Sequence, residues 1–176
     1  MSTWPFATRL DRLYLAKHHV CGKASDGMND SVITDTLYQA YAEPVGQLLT
    51  LGETGFDDPP KWLDYPSLFG LGREDVPTLI RMACDESLHN GDGEGTEAWA
   101  PIHAWRALGQ LRAVEAVEPL LAAMSAIRES NAPYEELSDI FAMIGPDAIA
   151  PIAAFLSCPS LEWALSATAC DALTKC

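Results

Sequence analysis

Residues 104–124 read AWRALGQLRAVEAVEPLLAAM, an apolar run that is divided by Gly109 and carries Pro119 ten residues later. The same order of an aliphatic residue, a glycine and then a proline within an apolar run recurs around Gly72 and Gly145. The three glycines are 37 and 36 residues apart, a period typical of stacked helical repeats. Glycine is favoured where a helix ends, and proline in the first turn of the next helix. The pattern therefore predicts pairs of short helices.

The chain from residue 71 to residue 176 is predicted to form six such helices. Each is too short to persist alone in water, so its stability must come from stacking its apolar face on its neighbours. The period-two alternation of a β-strand is almost absent from this region. We therefore predict an all-α fold, a right-handed α-α superhelix of about three helix pairs. The predicted helices span residues 75–86, 97–108, 113–127, 134–144, 147–157 and 161–175.

The first 70 residues predict a less regular organisation. Residues 1–27 are predicted to be a peripheral segment, or an extension upstream of the native start. Residues 28–70 are predicted to begin with a helix that Pro44 kinks or ends, because proline lacks the backbone donor that a helix interior needs. An irregular, proline-rich connector follows over residues 51–70. Its aromatic residues are expected to anchor it to the core: Trp62, Tyr65 and Phe69.

The composition favours an acidic globular protein and disfavours two classes of partner. The 176 residues include 25 acidic and 11 basic side chains, which gives a net charge of −14, and 48% are hydrophobic. Nucleic acids and anionic membranes attract basic surfaces, so neither is expected as a partner. Residues 113–176 hold nine acidic and two basic side chains. If several of these acids line a concave surface, they would recruit a basic protein.

Cysteine usage and hydropathy predict an intracellular location. The five cysteines form no CxxC pair and have no disulfide-framework spacing, which favours reduced thiols. Charged residues interrupt the apolar positions near the amino terminus, and no apolar run reaches the length of a membrane span. We therefore expect a cytoplasmic protein that does not insert into membranes.

Residues 104–124 and 144–156 resemble the HEAT repeats of phycobilisome-lyase-like proteins. In that family a helix ends in Arg-Ala-Leu-Gly, and after a short turn the next helix runs Ala-Val-x-Pro-Leu-Leu. The region from about Trp62 to Ile144 is also similar to uncharacterised bacterial HEAT-repeat proteins. The resemblance implies a bacterial scaffold whose stacked helices present a concave surface. The residues that match the pattern are Arg106, Ala107, Leu108, Gly109, Ala116, Val117, Pro119, Leu120 and Leu121.

Two segments hold residue types that bind metals, and neither completes a site. His18, His19 and Cys21 lack the second pair of ligands that a tetrahedral zinc site needs. Residues 90–95 supply oxygen ligands for the start of a calcium loop, but the twelfth position is Pro101 instead of glutamate. The chain has no His-Glu dipeptide, nucleophile elbow or phosphate loop. We therefore expect no cofactor and no catalytic residue.

The candidate partner-binding residues lie on one predicted helix and in one acidic cluster. Trp99 and Trp105 are six residues apart and cannot share a helix face, so either one is an exposed anchor beside Arg106 or both fill the core. His103, between Ile102 and Trp105, is also typical of a hydrogen-bonded structural histidine. The candidates are Trp99, His103, Trp105, Arg106, Glu135, Glu136 and Asp139.

The last predicted helix is apolar around most of its circumference, whereas a terminal repeat is expected to have a polar outer face. Trp163, Ala167 and Cys170 form one side of it. The alternatives are self-association as a homodimer through these residues, or a repeat array that is cut short at residue 176.

Three classes of function follow from the sequence. The first is a non-enzymatic scaffold of HEAT-like repeats that binds another protein. The second, implied by the resemblance alone, is an accessory or chromophore-lyase-type enzyme of the same architecture. The third is an acidic, immunity-like protein that masks a basic partner, as the net charge of −14 favours.

Overall fold

The computed structural model describes residues 40–55, 59–89, 95–129, 134–158, 161 and 163–176, all within the compact unit Leu37–Cys176. Over these ranges the chain forms helices and turns and no β-strand, so this part of the protein is all-α. The predictions for residues 1–27, including the histidine and cysteine cluster, lie outside the described residues. The same holds for residues 90–94 of the calcium-like loop.

Eight α-helices run through the described part of the chain, and all six predicted helices are among them. The first predicted helix, over residues 75–86, ends earlier than predicted, at Ala83, and a separate short helix begins at Glu86. The helices are α1 (Tyr65–Phe69), α2 (Val76–Ala83), α3 (Glu86–His89), α4 (Ala100–Gln110), α5 (Val117–Glu129), α6 (Leu137–Ile144), α7 (Ile149–Leu156) and α8 (Trp163–Lys175).

A short 3-10 turn leads directly into five of these helices. The turns are Arg73–Asp75, Thr96–Trp99, Val114–Ala116, Tyr134–Glu136 and Pro146–Ala148, before α2, α4, α5, α6 and α7. Two more 3-10 segments, Val45–Thr50 and Pro59–Lys61, precede α1. The prolines of the repeat pattern lie in the first turn of their helices, as predicted. A backbone N–H in the first turn has no acceptor within the helix, so proline, which lacks this N–H, is tolerated there. They are Pro77 in α2, Pro119 in α5 and Pro151 in α7.

The three glycines of the repeat pattern do not occupy equivalent positions, which corrects the prediction that each ends a helix. Gly145 does follow α6, with φ 94° and ψ −156°. Gly109 lies inside α4, which continues to Gln110. The reversal after α4 uses Arg112 at φ 50°, and the Ala113 N–H donates to the Leu108 carbonyl, a Schellman-type closure. Gly72 is extended and begins the turn before α2.

Four helices pack in a row, with α2 on α4, α4 on α6, and α6 on α8. Helices α5 and α7 contact each other beside this row. The centre of the row is α4, which is buried from Ala100 through Gly109. Gly109 lets α6 approach closely, because a Cβ atom there would be 3.4 Å from the Ile140 side chain. The core therefore surrounds α4.

No single helix in the described ranges is long and apolar enough to span a membrane. The helical segments Leu137–Ile144 and Pro146–Leu156 reach that length and hydropathy only together, and they meet at a bend of 114°.

Candidate functional site

Three polar side chains follow one face of the otherwise apolar helix α4. His103, Arg106 and Gln110 are spaced i, i+3 and i+7, which places them along one side of a helix. All three make hydrogen bonds to the connector, residues 51–70, whose described part covers 51–55 and 59–70. We call His103, Arg106 and Gln110 the α4 polar row.

His103 is buried and uses both ring nitrogens. Its Nε2 lies 2.9 Å from the Gly52 carbonyl oxygen, and its Nδ1 lies 2.7 Å from the hydroxyl of the buried Tyr65. Because a carbonyl only accepts, Nε2 must carry the hydrogen, and Nδ1 accepts the hydrogen of Tyr65. Burial lowers the pKa of His103, the Arg106 charge lowers it further, and the bond to Gly52 opposes both effects. The imidazole is therefore held neutral.

Arg106 is 2% exposed and makes four side-chain hydrogen bonds. Its Nε and Nη2 donate to the two carboxylate oxygens of Glu136 at 3.0 and 2.8 Å. Nη1 donates to Thr54 Oγ1 at 2.5 Å, and Nη2 donates to the Gly55 carbonyl at 2.8 Å. The guanidinium also lies 4.6 Å from the ring centroid of Trp62. The buried charge is thereby paired and hydrogen-bonded, as burial of an ion requires.

Gln110 completes the attachment of the connector. Its Nε2 donates to the Leu63 carbonyl at 2.7 Å, and its Oε1 accepts from the Tyr65 N–H at 2.9 Å. The predicted aromatic anchoring is confirmed, since Trp62 and Tyr65 are buried and Phe69 packs 6.1 Å from the Tyr65 ring. The polar row thus holds the connector mostly through its backbone.

The structure places three of the partner-binding candidates, His103, Trp105 and Arg106, in the interior of the protein. All three are buried, and their polar groups are used within the chain. Trp105 donates from Nε1 to the Ala83 carbonyl at 3.0 Å and stacks on the His89 ring, so it fills the core. Trp99 is half-buried. Burial follows because α4 has neighbours on most sides, which a single helix pattern does not reveal.

The acidic candidates are also mostly engaged within the chain. Glu136 binds Arg106, and Asp139 lies 2.7 Å from Lys175 Nζ. The pair with Asp139 connects the carboxyl-terminal end of α8 to α6, and Lys175 also lies 2.8 Å from Asp171 within α8. Glu135 remains exposed. The expected acidic surface is therefore reduced by ion pairs between helices.

The self-association candidates lie together on the outer side of α8. Trp163 is 83% exposed, and Ala167 and Cys170 are exposed at the i+4 and i+7 positions. Leu165 and Ala169 on the opposite side are buried. The two sides of α8 therefore differ in exposure. We call Trp163, Ala167 and Cys170 the α8 stripe.

Within the described residues, no three His, Cys, Asp or Glu side chains converge in a way that could hold a metal ion. No family model matches the chain, and no curated protein or solved structure is similar enough to count as a match. The similarity to HEAT repeats therefore stays a prediction from the quoted motifs.

Sequence reasoning did not identify Gln110 or the polar row as a unit. A signal was present, because His, Arg and Gln at i, i+3 and i+7 break the apolar pattern of α4 on one face only. Such a pattern is common to an exposed face and to a face covered by a polar backbone. Which of the two applies to α4 depends on the connector, which is distant in the sequence and covers this face only in the folded protein.

Proposed function

We propose that the chain is a non-enzymatic protein-interaction scaffold, built from HEAT-like helix pairs in a right-handed α-α superhelix. The row of α2, α4, α6 and α8, with α5 and α7 beside it, supports this arrangement. So does the repeated order of a 3-10 turn and a helix with proline in its first turn. Helix-pair arrays of this kind offer extended surfaces that suit protein partners.

The observation that carries the proposal is the exposure of Trp163 in the α8 stripe. A tryptophan that is 83% exposed leaves a large apolar ring in water, and its burial against another molecule would be favourable. Tryptophan is among the residues that contribute most to binding when a partner buries it. Ala167 and Cys170 have small side chains, so a partner can approach the helix closely beside the indole.

The partner we propose is a cytoplasmic protein whose binding surface is apolar at its centre and basic at its rim. The apolar part would cover Trp163, and the basic rim would complement a chain with a net charge of −14. Electrostatic attraction of this kind weakens with salt, because the Debye length is only about 8 Å at physiological ionic strength.

Self-association through α8 is a second candidate, favoured by the lack of charge on the α8 stripe. Two copies that each carry −14 repel one another, and contact is least unfavourable where both surfaces are uncharged. In a two-fold arrangement Trp163 of one copy would pack on Ala167 of the other, since isologous interfaces are self-complementary.

The test compares Trp163→Ser with Leu68→Ser as a matched control, because Leu68 on α1 is 60% exposed and lies outside the α8 stripe. Tagged proteins are used for affinity capture from the native host at low salt. We expect the wild type and Leu68→Ser to retain one stoichiometric protein. We expect Trp163→Ser to retain at least about tenfold less, as for a binding hot spot. Equal capture by both variants would refute the assignment of the surface.

Sedimentation equilibrium separates the second candidate from the first. A homodimer through α8 predicts that the wild type and Leu68→Ser dissociate at the same concentration and that Trp163→Ser is monomeric. A monomeric wild type that still captures a protein supports the scaffold alone. Capture of a coloured small molecule without a protein would instead favour the lyase-type enzyme.

A further inference from the structure

The buried hydroxyl of Tyr65 lies among hydrogen-bond donors. Its Oη is 2.7 Å from His103 Nδ1, and the Arg106 guanidinium, which only donates, also interacts with it. Among the described residues, the acceptor that faces the Tyr65 hydroxyl hydrogen is the unprotonated Nδ1 of His103. This hydrogen bond between α4 and the connector therefore forms in only one protonation state of His103, the neutral one.

We propose that His103 is a proton-operated latch, which holds the connector on α4 when neutral and releases it when protonated. A proton on Nδ1 removes the acceptor of the Tyr65 O–H: Nδ1–H can then donate only to the Tyr65 oxygen, and the hydroxyl hydrogen must turn away from His103. A buried donor without an acceptor is costly, because it has lost its hydrogen bond to water. The imidazolium would also place a second positive charge beside Arg106 on the same buried face.

The charged and titratable groups around His103 reinforce this effect. Arg106 lies on α4 itself, Tyr65 belongs to α1, and Glu136 precedes α6. Glu136 is committed to Arg106 by two hydrogen bonds, so its carboxylate is not free to neutralise the imidazolium. Gly52 contributes a carbonyl, which accepts from Nε2 in either state. Within the described residues, the hydroxyl of Tyr65 is thus the group that protonation affects most directly.

Release of the connector would uncover a surface that is closed in this structure. The contacts of Thr54, Gly55 and Trp62 with Arg106 are what shield the guanidinium on the connector side. With the connector detached, the α4 polar row becomes a line of hydrogen-bond donors open to solvent. The latch thus controls access to α4, the central helix of the row.

The direction of the pH effect follows from linkage. His103 has a lowered pKa while the connector is attached and an ordinary pKa of about 6.5 when it is detached. The attached state therefore binds fewer protons in this range, and attachment weakens as the pH falls below about 6.5. Attachment of the connector weakens further with falling pH until the pH reaches the lowered pKa that His103 has in the attached state.

His89 provides a matched comparison within the same protein. Its Nε2 lies 3.0 Å from the Ala83 carbonyl, so it too donates from Nε2 to the backbone, and burial lowers its pKa. In contrast to His103, it has the carboxylates of Asp85 and Glu86 nearby, and these favour its charged form. Its hydrogen bond is to Ala83 and its ring stacks on Trp105, so its titration is not expected to release the connector.

The experiment measures amide hydrogen exchange by mass spectrometry at about pH 7 and about pH 5, with rates corrected for the intrinsic pH dependence of exchange. In the full chain, we expect the protection of residues 59–70 to fall by about threefold to thirtyfold at the lower pH. The thirtyfold limit applies if His103 stays neutral at both pH values while the connector is attached to α4. Helix α5 serves as the internal reference and should keep its protection.

Three variants decide the assignment. In His103→Gln the amide supplies a donor and an acceptor without titrating, so the protection of residues 59–70 should no longer depend on pH. Tyr65→Phe removes the donor to Nδ1 and should already lower the protection of residues 59–70 at about pH 7, which gives a second test if His103→Gln does not fold. His89→Gln should retain the wild-type dependence. Protection of residues 59–70 that does not change with pH in the wild type would overturn the latch. So would a full pH dependence in His103→Gln, wild-type protection at about pH 7 in Tyr65→Phe, or loss of the pH dependence in His89→Gln.

Discussion

Arg106 on α4 and Glu136 before α6 form a bidentate ion pair between residues that are 30 positions apart in the sequence. The two N–O distances are 3.0 and 2.8 Å, and the side chains are 2% and 13% exposed. The same guanidinium binds the connector at Thr54 and Gly55. One side chain therefore joins α4 and the start of α6 to a segment more than 50 residues earlier in the chain.

Substitution of Arg106 by lysine is expected to destabilise the fold while keeping the charge. An ammonium group cannot reproduce the planar fork that reaches Glu136, Thr54 and Gly55 together. We expect the free energy of unfolding in urea to fall by about 2–4 kcal/mol. Arg73→Lys is the control, because Arg73 and Glu115 form a 3.2 Å pair with side chains 60% and 58% exposed. Its effect should stay below about 0.5 kcal/mol, and equal losses in both variants would contradict the interpretation.

Trp105→Phe tests the placement of this tryptophan in the core. The change removes the hydrogen bond to the Ala83 carbonyl and leaves part of the indole volume empty. We expect a loss of about 2–3 kcal/mol in urea unfolding. Trp163→Phe on the exposed α8 stripe should change stability by less than about 0.5 kcal/mol. The reverse order would show that the two tryptophans have been assigned to the wrong environments.

Gly145→Ala and Gly109→Ala should act in opposite directions although both glycines belong to the same sequence pattern. Gly145 has φ 94° and ψ −156°, so alanine there should cost about 1–3 kcal/mol even though a Cβ atom meets nothing within 4 Å. Gly109 is helical, and alanine there gains up to about 1 kcal/mol of helix propensity. Its Cβ atom would lie 3.4 Å from the Ile140 side chain, an ordinary van der Waals distance that does not oppose this gain. Thermal unfolding of the two variants measures whether each substitution stabilises or destabilises the protein. A stabilised Gly145→Ala would contradict the expected backbone strain at this position.

The cysteines are expected to differ in their reactivity towards iodoacetamide. Burial raises the pKa of the Cys84 thiol to about 11, whereas Cys170 is exposed on α8. Because the thiolate is the nucleophile, peptide mass spectrometry at about pH 8 should find Cys170 modified far faster than Cys84. In denaturant the two rates should converge. Equal rates in the native protein would mean that Cys84 is not packed as described.

Much of the helical organisation of the described region was predictable, because helix periodicity, prolines and turn residues are local signals. The division at Cys84 and Asp85 was not, since it depends on contacts from elsewhere. The Asp85 carboxylate accepts from Ser87 at the start of α3 and also from the Tyr41 hydroxyl at 2.6 Å, 44 residues away. The different roles of Gly109 and Gly145 could not be predicted from the sequence either, because glycine suits both a close helix contact and a backbone with positive φ.

The sequence by itself determined an all-α chain of short helices with prolines in their first turns, because these features depend on residues within one or two turns of each other. Only the tertiary structure decided that His103, Arg106 and Gln110 are covered. A polar side chain on an apolar helix is suitable for solvent and for a buried acceptor alike. Here the acceptors are backbone carbonyls of the connector and a carboxylate before α6, between 30 and 51 residues away in sequence. Folding brings these acceptors to one face of α4, and their contact with this face determines which polar residues are buried.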